Sequence, residues 1–220
     1  AELFAHAVKK ALLQENFPLG TFSLIQGKNH DIGKYLVLHE SIKAVGFTGS
    51  LAGGRSIFEL NMSRNEPIPI YAEMGSINPI FLTNNTIIKN NEELPQILAN
   101  SITLGVGQFC TKSDFIFLPQ SAESENLINK TVKIMNEKQD LPLLNPSICE
   151  KLDVDLTVTK KIYGITTLLG AKKAKNTNNN NKEKNVCIYE NTILKTTSKI
   201  YLENAEIQKE YFGPVAIFVI

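Results

Sequence analysis

The sequence has 220 residues, of which 43% are hydrophobic, and this is enough to bury the core of one large domain or of two small ones. Basic and acidic residues nearly balance, at 23 against 22, and no basic stripe alternates with aromatic residues, so the sequence predicts no nucleic-acid partner. The longest apolar stretches have the length of strands and residues 1–20 lack the layout of a signal peptide, so no membrane partner is predicted either.

The three cysteines, Cys110, Cys149 and Cys187, are widely spaced and odd in number. Such a count argues against a disulfide framework and fits the reducing cytoplasm, where one cysteine can work as a free thiol. Cys149 and Cys187 have no glycine or polar cluster beside them, so we interpret both as buried, unreactive thiols. No metal site is predicted.

Helical and strand patterns alternate along the chain. In chain order they predict a helix over residues 1–16, a strand over 21–26, a helix over 31–39 with Asp31 as its candidate cap, a strand over 43–48, a helix over 51–65, strands over 68–73 and 78–82, a helix over 92–106, a strand over 115–118, helices over 121–137 and 147–169, and strands over 185–189 and 215–220. The polar, low-complexity residues 176–185 are interpreted as a surface loop. This alternation predicts an α/β fold with a mostly parallel sheet, which binds ligands beyond the carboxyl ends of its strands.

Residues 105–112, with the sequence GVGQFCTK, are the first candidate site. Gly105 and Gly107 break a helical run immediately before Cys110, which favours a sharp turn and an exposed thiol. Exposure, together with nearby positive potential, is what thiolate reactivity requires. The alternative is a buried and inert cysteine.

Glu73 is the second candidate, because it ends an apolar strand and is soon followed by glycine. A partly desolvated carboxylate there has a raised pKa and can take a proton from water. The alternative is a solvated charge at the end of a strand.

Gly49 and Ser50 form the third candidate, in a strand, tight turn and helix start that can bind a phosphate. Gly27 and Gly33 surround another predicted turn, although their spacing is not that of the dinucleotide fingerprint G-x-G-x-x-G.

The fourth candidate is Glu210, in the run EYFGP, where a carboxylate can bind a ribose diol or remain a solvated loop charge.

These four segments, in this order and at this spacing, resemble the aldehyde dehydrogenase superfamily over nearly the whole chain. The run from Phe47 to Pro79, with residues 105–112, most resembles the branch that oxidises 2,5-dioxovalerate, also called α-ketoglutaric semialdehyde. The resemblance implies a partial three-layer α/β/α fold with mostly parallel sheets. It also implies that residues 1–75 are the C-terminal part of an NAD(P)-binding domain and that residues 76–220 are a catalytic domain, incomplete at its C-terminus.

The resemblance further implies a role for each candidate. Cys110 is the nucleophile that forms a thiohemiacetal and then a thioester with the aldehyde, and Glu73 is the general base that hydrolyses the thioester. Relatives that acylate coenzyme A or phosphate usually lack this base, so Glu73 favours release of a free acid. The cofactor, NAD or NADP, is expected to contact Gly49, Ser50, Gly27, Gly33, Met74, Glu210 and Phe212.

Two departures from the family qualify this prediction. The family usually continues its Cys-Thr-x segment with Pro-Gly, where this chain has Ser113 and Asp114, and an aspartate facing the thiol would raise the pKa of Cys110. Family members have roughly 500 residues, so we expect this chain to be a fragment that alone binds cofactor poorly and turns over little. The full-length enzyme is expected to be a homo-oligomer.

Two other functions remain open. A cysteine hydrolase would need a histidine partner for Cys110, and the chain has only His6, His30 and His39, all in its cofactor-like half. A non-catalytic remnant would keep the fold alone, but Cys110, Glu73 and Glu210 all survive.

Overall fold

The structure is a computed structural model that describes residues 1–27, 29–174 and 186–220. The described chain divides into two compact units, Ala1–Gly75 and Ser76–Ile220. The first unit contains, in chain order, α1 (Glu2–Gln14), α2 (Asp31–Leu38), β1 (Val45–Gly49), α3 (Leu51–Met62) and β2 (Ile70–Met74). Strands β1 and β2 are parallel and in register from Val45 opposite Ile70 to Gly49 opposite Met74, so the two strands end side by side.

Side-chain hydrogen bonds fix the ends of α3 in this unit. At its start, the Ser50 hydroxyl accepts a hydrogen bond of 3.2 Å from the backbone N–H of Gly53, which is the usual way to satisfy a free donor in the first turn. Near its end, the buried Asn61 side chain exchanges two hydrogen bonds of 2.9 Å with the backbone of Ile68. The two hydrogen bonds between Asn61 and Ile68 hold together the end of α3 and the segment that enters β2.

The second unit contains a five-stranded sheet with helices on both faces. Its elements are β3 (Ile80–Phe81), α4 (Asn84–Lys89), α5 (Leu94–Thr103), β4 (Phe115–Phe117), α6 (Ala122–Glu137), α7 (Pro146–Thr159), β5 (Thr166–Leu169), β6 (Thr192–Thr196), α8 (Ser198–Glu203) and β7 (Val215–Val219). The strand order is β3-β4-β7-β6-β5, and every neighbouring pair is parallel except the antiparallel pair of β5 and β6.

Strand β7 is the centre of the hydrophobic core, and all five of its residues are buried. Ala216 and Phe218 belong to a cluster that also contains apolar residues of α4, α5 and α6. Val215, Ile217 and Val219 belong to a second cluster that includes residues of α7. Because successive side chains of a strand point to opposite faces, this alternation places one helical layer on each face of the sheet.

Most predicted elements are confirmed, with their ends shifted by a few residues, and so is the α/β class with mostly parallel sheets. The strand predicted over residues 21–26 is wrong, because residues 22–27 have no regular secondary structure. A β-rich run becomes a strand only when a neighbour supplies the ladder of hydrogen bonds, and within the described part of the first unit β1 and β2 pair only with each other.

The helix predicted over residues 147–169 is too long. Helix α7 ends at Thr159, Gly164 follows with a left-handed backbone (φ 86°), and the remaining apolar residues form β5.

Asp31 is not the cap of α2, since His30 occupies that position and Asp31 lies in the first turn. Elements α4, β6 and α8 were not predicted.

Two other predictions concern the chain between β5 and β6. The loop predicted over residues 176–185 lies outside the described residues. Of the strand predicted over residues 185–189, the described part forms only single bridges, at Ile188 and Tyr189.

None of the helices that the structure describes is long and apolar enough to cross a membrane.

The expectation of unpaired cysteines is wrong for Cys149 and Cys187, which the structure joins in a disulfide. Cys149 is fully buried in α7, and Cys187 is half-buried beside the bridge that joins Ile188 to Pro142. Spacing along the sequence does not predict a pair 38 residues apart, because only the tertiary fold brings the two sulfur atoms together. The pairing also removes the support that the cysteine count gave to a reducing compartment.

We expect reduction of this disulfide to destabilise the second unit. Closing a loop of 38 residues restricts the unfolded chain and stabilises the folded state by about 4 kcal/mol on the chain-entropy model. Urea unfolding with and without a thiol reductant measures this difference, and the Cys110→Ala variant should show the same difference. Titration of the urea-unfolded, non-reduced chain should find one thiol, whereas three thiols would contradict the pairing.

Candidate active site

Cys110 lies on an exposed bend between α5 and β4. After α5 the chain turns sharply over residues 104–107, where Gly105, Val106 and Gly107 have left-handed backbones with φ values of 57°, 59° and 65°. Glycine adopts this conformation without steric cost, and the turn ends the helical run just before the cysteine. The Cys110 thiol is free and exposed to solvent, so a reactant at the surface can meet it.

Two polar residues that follow β2 hold the peptide groups of this loop. The Asn78 side-chain amide donates hydrogen bonds to the carbonyl oxygens of Cys110, at 2.6 Å, and of Lys112, at 3.0 Å. The Ser76 hydroxyl also donates to the Cys110 carbonyl oxygen. Sequence reasoning assigned no role to Ser76 or Asn78, and the only signal for them is their place in the run GSINP just after Glu73.

The same Ser76 links the Cys110 loop to the segment around Glu210. Its backbone N–H donates to Glu210 Oε1 at 3.4 Å, while its hydroxyl contacts the Cys110 carbonyl oxygen. Glu210 and Phe212 are both half-buried, at the end of the loop that leads into β7. The second unit therefore brings two of the predicted site segments together, although they are 100 residues apart in sequence.

A glycine pair allows these two segments to approach closely. A Cβ atom at Gly107 would overlap the backbone carbonyl group of Gly213, which belongs to the Gly-Pro turn before β7. Gly107 therefore has two reasons to be glycine, its left-handed backbone and the absence of space for a side chain.

Asp114, the departure noted in the sequence, turns into the protein interior. Its side chain is fully buried, where it forms an ion pair with the ammonium group of Lys112 and accepts a hydrogen bond of 2.9 Å from the backbone N–H of Tyr211. Burial raises the pKa of Asp114 to about 6, although the neighbouring Lys112 opposes the shift. Its charge is compensated inside the core, whereas the Cys110 side chain is exposed on the surface.

In the first unit, four predicted site residues lie where β1 and β2 end. Gly49 pairs with Met74 in the parallel register, Glu73 lies opposite Thr48, and Ser50 caps α3 immediately after β1. The Glu73 side chain is exposed. Residues from both strands line an open depression of about 420 Å³: Gly46, Phe47, Thr48, Tyr71, Ala72 and Glu73.

Gly27 and Gly33 do not form the predicted turn between a strand and a helix. Among the described residues no strand precedes them, and Gly33 lies inside α2 with no atom within 4 Å of where its Cβ would be. A Cβ at Gly27, in contrast, would overlap the side chain of Ile32, and a contact of either glycine with a cofactor stays a prediction.

The two units present their candidate residues at opposite ends of their strands. In the first unit, Glu73 and Gly49 lie at the carboxyl ends, as the rule for parallel sheets predicts. In the second unit, Cys110 and Glu210 precede β4 and β7 and so lie beyond the amino ends of those strands. The carboxyl-end rule therefore describes only the first unit.

The whole chain, residues 1–220, matches the family model described as the aldehyde dehydrogenase family. This chain belongs to that family. It is 31% identical to the α-ketoglutaric semialdehyde dehydrogenase of Acinetobacter baylyi over 220 residues, covering 100% of this chain and 40% of the relative. It is 28% identical to α-ketoglutaric semialdehyde dehydrogenase 2 of Azospirillum brasilense, again with 100% and 40% covered. The chain thus spans about two fifths of the length of these relatives.

Solved structures show the same fold. Betaine aldehyde dehydrogenase from Staphylococcus aureus, in complex with NAD⁺, superimposes with a TM-score of 0.79 at 20% identity, over 97% of this chain and 42% of that one. At this level of identity the comparison concerns the fold alone. It confirms that the chain has part of the aldehyde dehydrogenase fold.

The tight contact between Gly107 and Gly213 gives a stability prediction for this family member. We expect Gly107→Ala to lower the free energy of unfolding by about 2–4 kcal/mol, because alanine is strained in a left-handed backbone and its Cβ meets a carbonyl group. The matched control is Gly33→Ala, which adds the same methyl group in open space within a helix and should stabilise by about 0.5–1 kcal/mol. Urea unfolding followed by circular dichroism measures both changes, and equal stability of Gly107→Ala and the unaltered chain would contradict the contact.

Proposed function

We propose that this chain carries the nucleophile, the general base and part of the cofactor site of an NAD(P)⁺-dependent aldehyde dehydrogenase. In this proposal Ala1–Gly75 is the C-terminal part of the cofactor-binding domain and Ser76–Ile220 is part of the catalytic domain. The single observation that carries it is the free, exposed thiol of Cys110 on a loop tied through Ser76 to Glu210. A homo-oligomeric state and a cytoplasmic location stay predictions from the sequence.

The residues present fit a nicotinamide dinucleotide. In the first unit, Gly49 is exposed, with the Phe47 ring beside the place where its Cβ would be, and Ser50 opens helix α3, whose first turn offers N–H groups to a phosphate. In the second unit, Glu210 is held through its Oε1 atom and would accept hydrogen bonds from ribose hydroxyls, with Phe212 beside it. Met74 would complete the contacts at the end of β2. When bound, NAD⁺ or NADP⁺ supplies an acceptor for the hydride that the aldehyde carbon loses.

The side chains of Cys110 and Glu73 carry out the remaining steps of the reaction. The Cys110 thiolate attacks the carbonyl carbon of the aldehyde and forms a thiohemiacetal, which loss of hydride converts into a thioester. Glu73 then takes a proton from a water molecule, which attacks the thioester carbon. The carbon–sulfur bond breaks, the carboxylic acid leaves, and Cys110 recovers its thiolate.

The proposed substrate is 2,5-dioxovalerate. Two relatives that this chain matches over its full length are named as α-ketoglutaric semialdehyde dehydrogenases, and the sequence run from Phe47 to Pro79 resembles that branch. A cysteine hydrolase is not proposed, because the whole chain matches the aldehyde dehydrogenase family.

Replacing the nucleophile tests the reaction class. In the complete gene product, Cys110→Ala should lower the rate of NAD(P)H formation from 2,5-dioxovalerate by about a thousandfold or more, because the covalent intermediate cannot form. Cys149→Ala, which also removes a cysteine of the second unit, is the control and should keep the activity of its folded fraction. A Cys110→Ala enzyme with normal turnover would rule out the thioester mechanism.

Replacing the base tests the second half of the reaction. Glu73→Gln should lower steady turnover by about 100- to 10,000-fold while the first turnover still releases a burst of reduced cofactor, because only hydrolysis of the thioester needs the base. Glu59→Gln makes the same change at an exposed glutamate of α3 and should leave turnover unchanged. Rapid-mixing absorbance at 340 nm separates the burst from the steady rate. Full steady turnover by Glu73→Gln would show that another group is the base.

A further inference from the structure

A buried ion pair lies two residues beyond the nucleophile. The side chains of Lys112 and Asp114 are 2% and 0% exposed, and the Lys112 ammonium group contacts Asp114 Oδ1. The same ammonium donates hydrogen bonds to the carbonyl oxygens of Tyr211, at 2.7 Å, and of Val215, at 3.1 Å. All three N–H donors of the lysine are therefore used.

Among the described residues, the two side chains form hydrogen bonds with each other and with the backbone of Tyr211 and Val215, at the approach to and start of β7. Asp114 Oδ1 accepts the backbone N–H of Tyr211 at 2.9 Å, and the Asp114 carbonyl oxygen accepts the N–H of Ile217 at 2.8 Å. Tyr211 stands between Glu210 and Phe212 in the sequence. One charged pair thus joins the loop that carries the thiol to the segment that carries the candidate ribose ligand.

Stability alone does not account for such a pair. Burying two charges has a large desolvation cost, and well-packed apolar residues in the same place often give equal or greater stability. The cost is visible here, because burial lowers the pKa of Lys112 and raises that of Asp114. Among the described residues, Asp114 Oδ2 has no hydrogen-bond partner at all. What the pair provides, and apolar residues would not, is a fixed direction for its hydrogen bonds.

We propose that Lys112 and Asp114 are positioning residues that lock the Cys110 loop and the Glu210–Phe212 segment into one rigid body. Neither side chain touches the reacting atoms. This link, called the lock below, sets the spacing between the Cys110 thiol and the Glu210 carboxylate. Its value for catalysis rests on the proposed dehydrogenase function, whereas its existence does not.

The test compares two doubly neutral variants in the complete gene product. Lys112→Met with Asp114→Leu removes the buried pair and fills its space with apolar atoms. Lys130→Met with Glu92→Leu makes the same changes in a solvent-exposed ion pair of 2.9 Å between α6 and the segment after α4. A nitroxide spin label on the free thiol of Cys110 reports the mobility of the loop, and hydrogen exchange reports the protection of residues 209–217.

The proposal predicts that the buried variant unfolds at the same urea concentration as the unaltered protein, or a higher one, and yet loses rigidity. Its nitroxide spectrum should become mobile, and the Tyr211 and Ile217 amides should exchange about tenfold faster or more. The surface variant should change neither signal. An immobile label with unchanged exchange in a folded buried variant, or the same changes in the surface variant, would overturn the lock.

If the buried variant does not fold, amide hydrogen exchange in the unaltered protein tests the lock instead. The lock requires the amides of Tyr211 and Ile217, which Asp114 holds through Oδ1 and through its carbonyl oxygen, to open together, with one common dependence on urea. Exchange of the Tyr211 amide while the Ile217 amide stays protected would overturn it. None of these measurements uses an aldehyde or a cofactor. A protein without dehydrogenase activity would therefore refute the proposed function and leave the lock standing.

Discussion

The pairing of β4 with the buried strand β7 is the constraint on which the candidate site of the second unit depends. The two strands are parallel and in register from Phe115 opposite Ile217, so the loops that precede them reach the same edge of the sheet. Cys110 and Glu210 are carried to that edge by strands buried in the hydrophobic core. Because the core positions the strands, a packing error in β7 would displace the thiol and the carboxylate together.

Elements with a strong local pattern were predictable from the sequence, and elements that depend on a partner were not. The apolar run over residues 215–220 has the signature of a strand buried on both faces, and β7 lies there. The β-rich residues 21–26 have a similar local preference but no neighbouring strand, so they stay irregular. Strand β6, with the sequence TILKT, was missed because Lys195 interrupts its apolar pattern, although its backbone pairs fully with β7.

The candidate site was predictable to a similar degree. The glycines around Cys110 indicated a turn and an exposed thiol, and the structure has both. The sequence placed a negative charge four residues from that thiol but could not give its direction. The direction follows from Lys112 and from the backbone of Tyr211, a residue 97 positions away from Asp114 that no local pattern connects to it.

The ion pair also explains how the loop does without the Pro-Gly that follows Cys-Thr-x in the family it resembles. Proline fixes one backbone torsion and glycine allows a tight path, so Pro-Gly sets the course of a loop through its own backbone. Ser113 and Asp114 impose neither restriction, and the course of the loop must come from contacts instead. Asn78 holds the loop from one side through the Cys110 and Lys112 carbonyl groups, and Lys112 holds it from the other through Asp114, Tyr211 and Val215. Side-chain hydrogen bonds thus replace backbone stiffness, which ties the geometry around Cys110 to residues about 100 positions further along the chain.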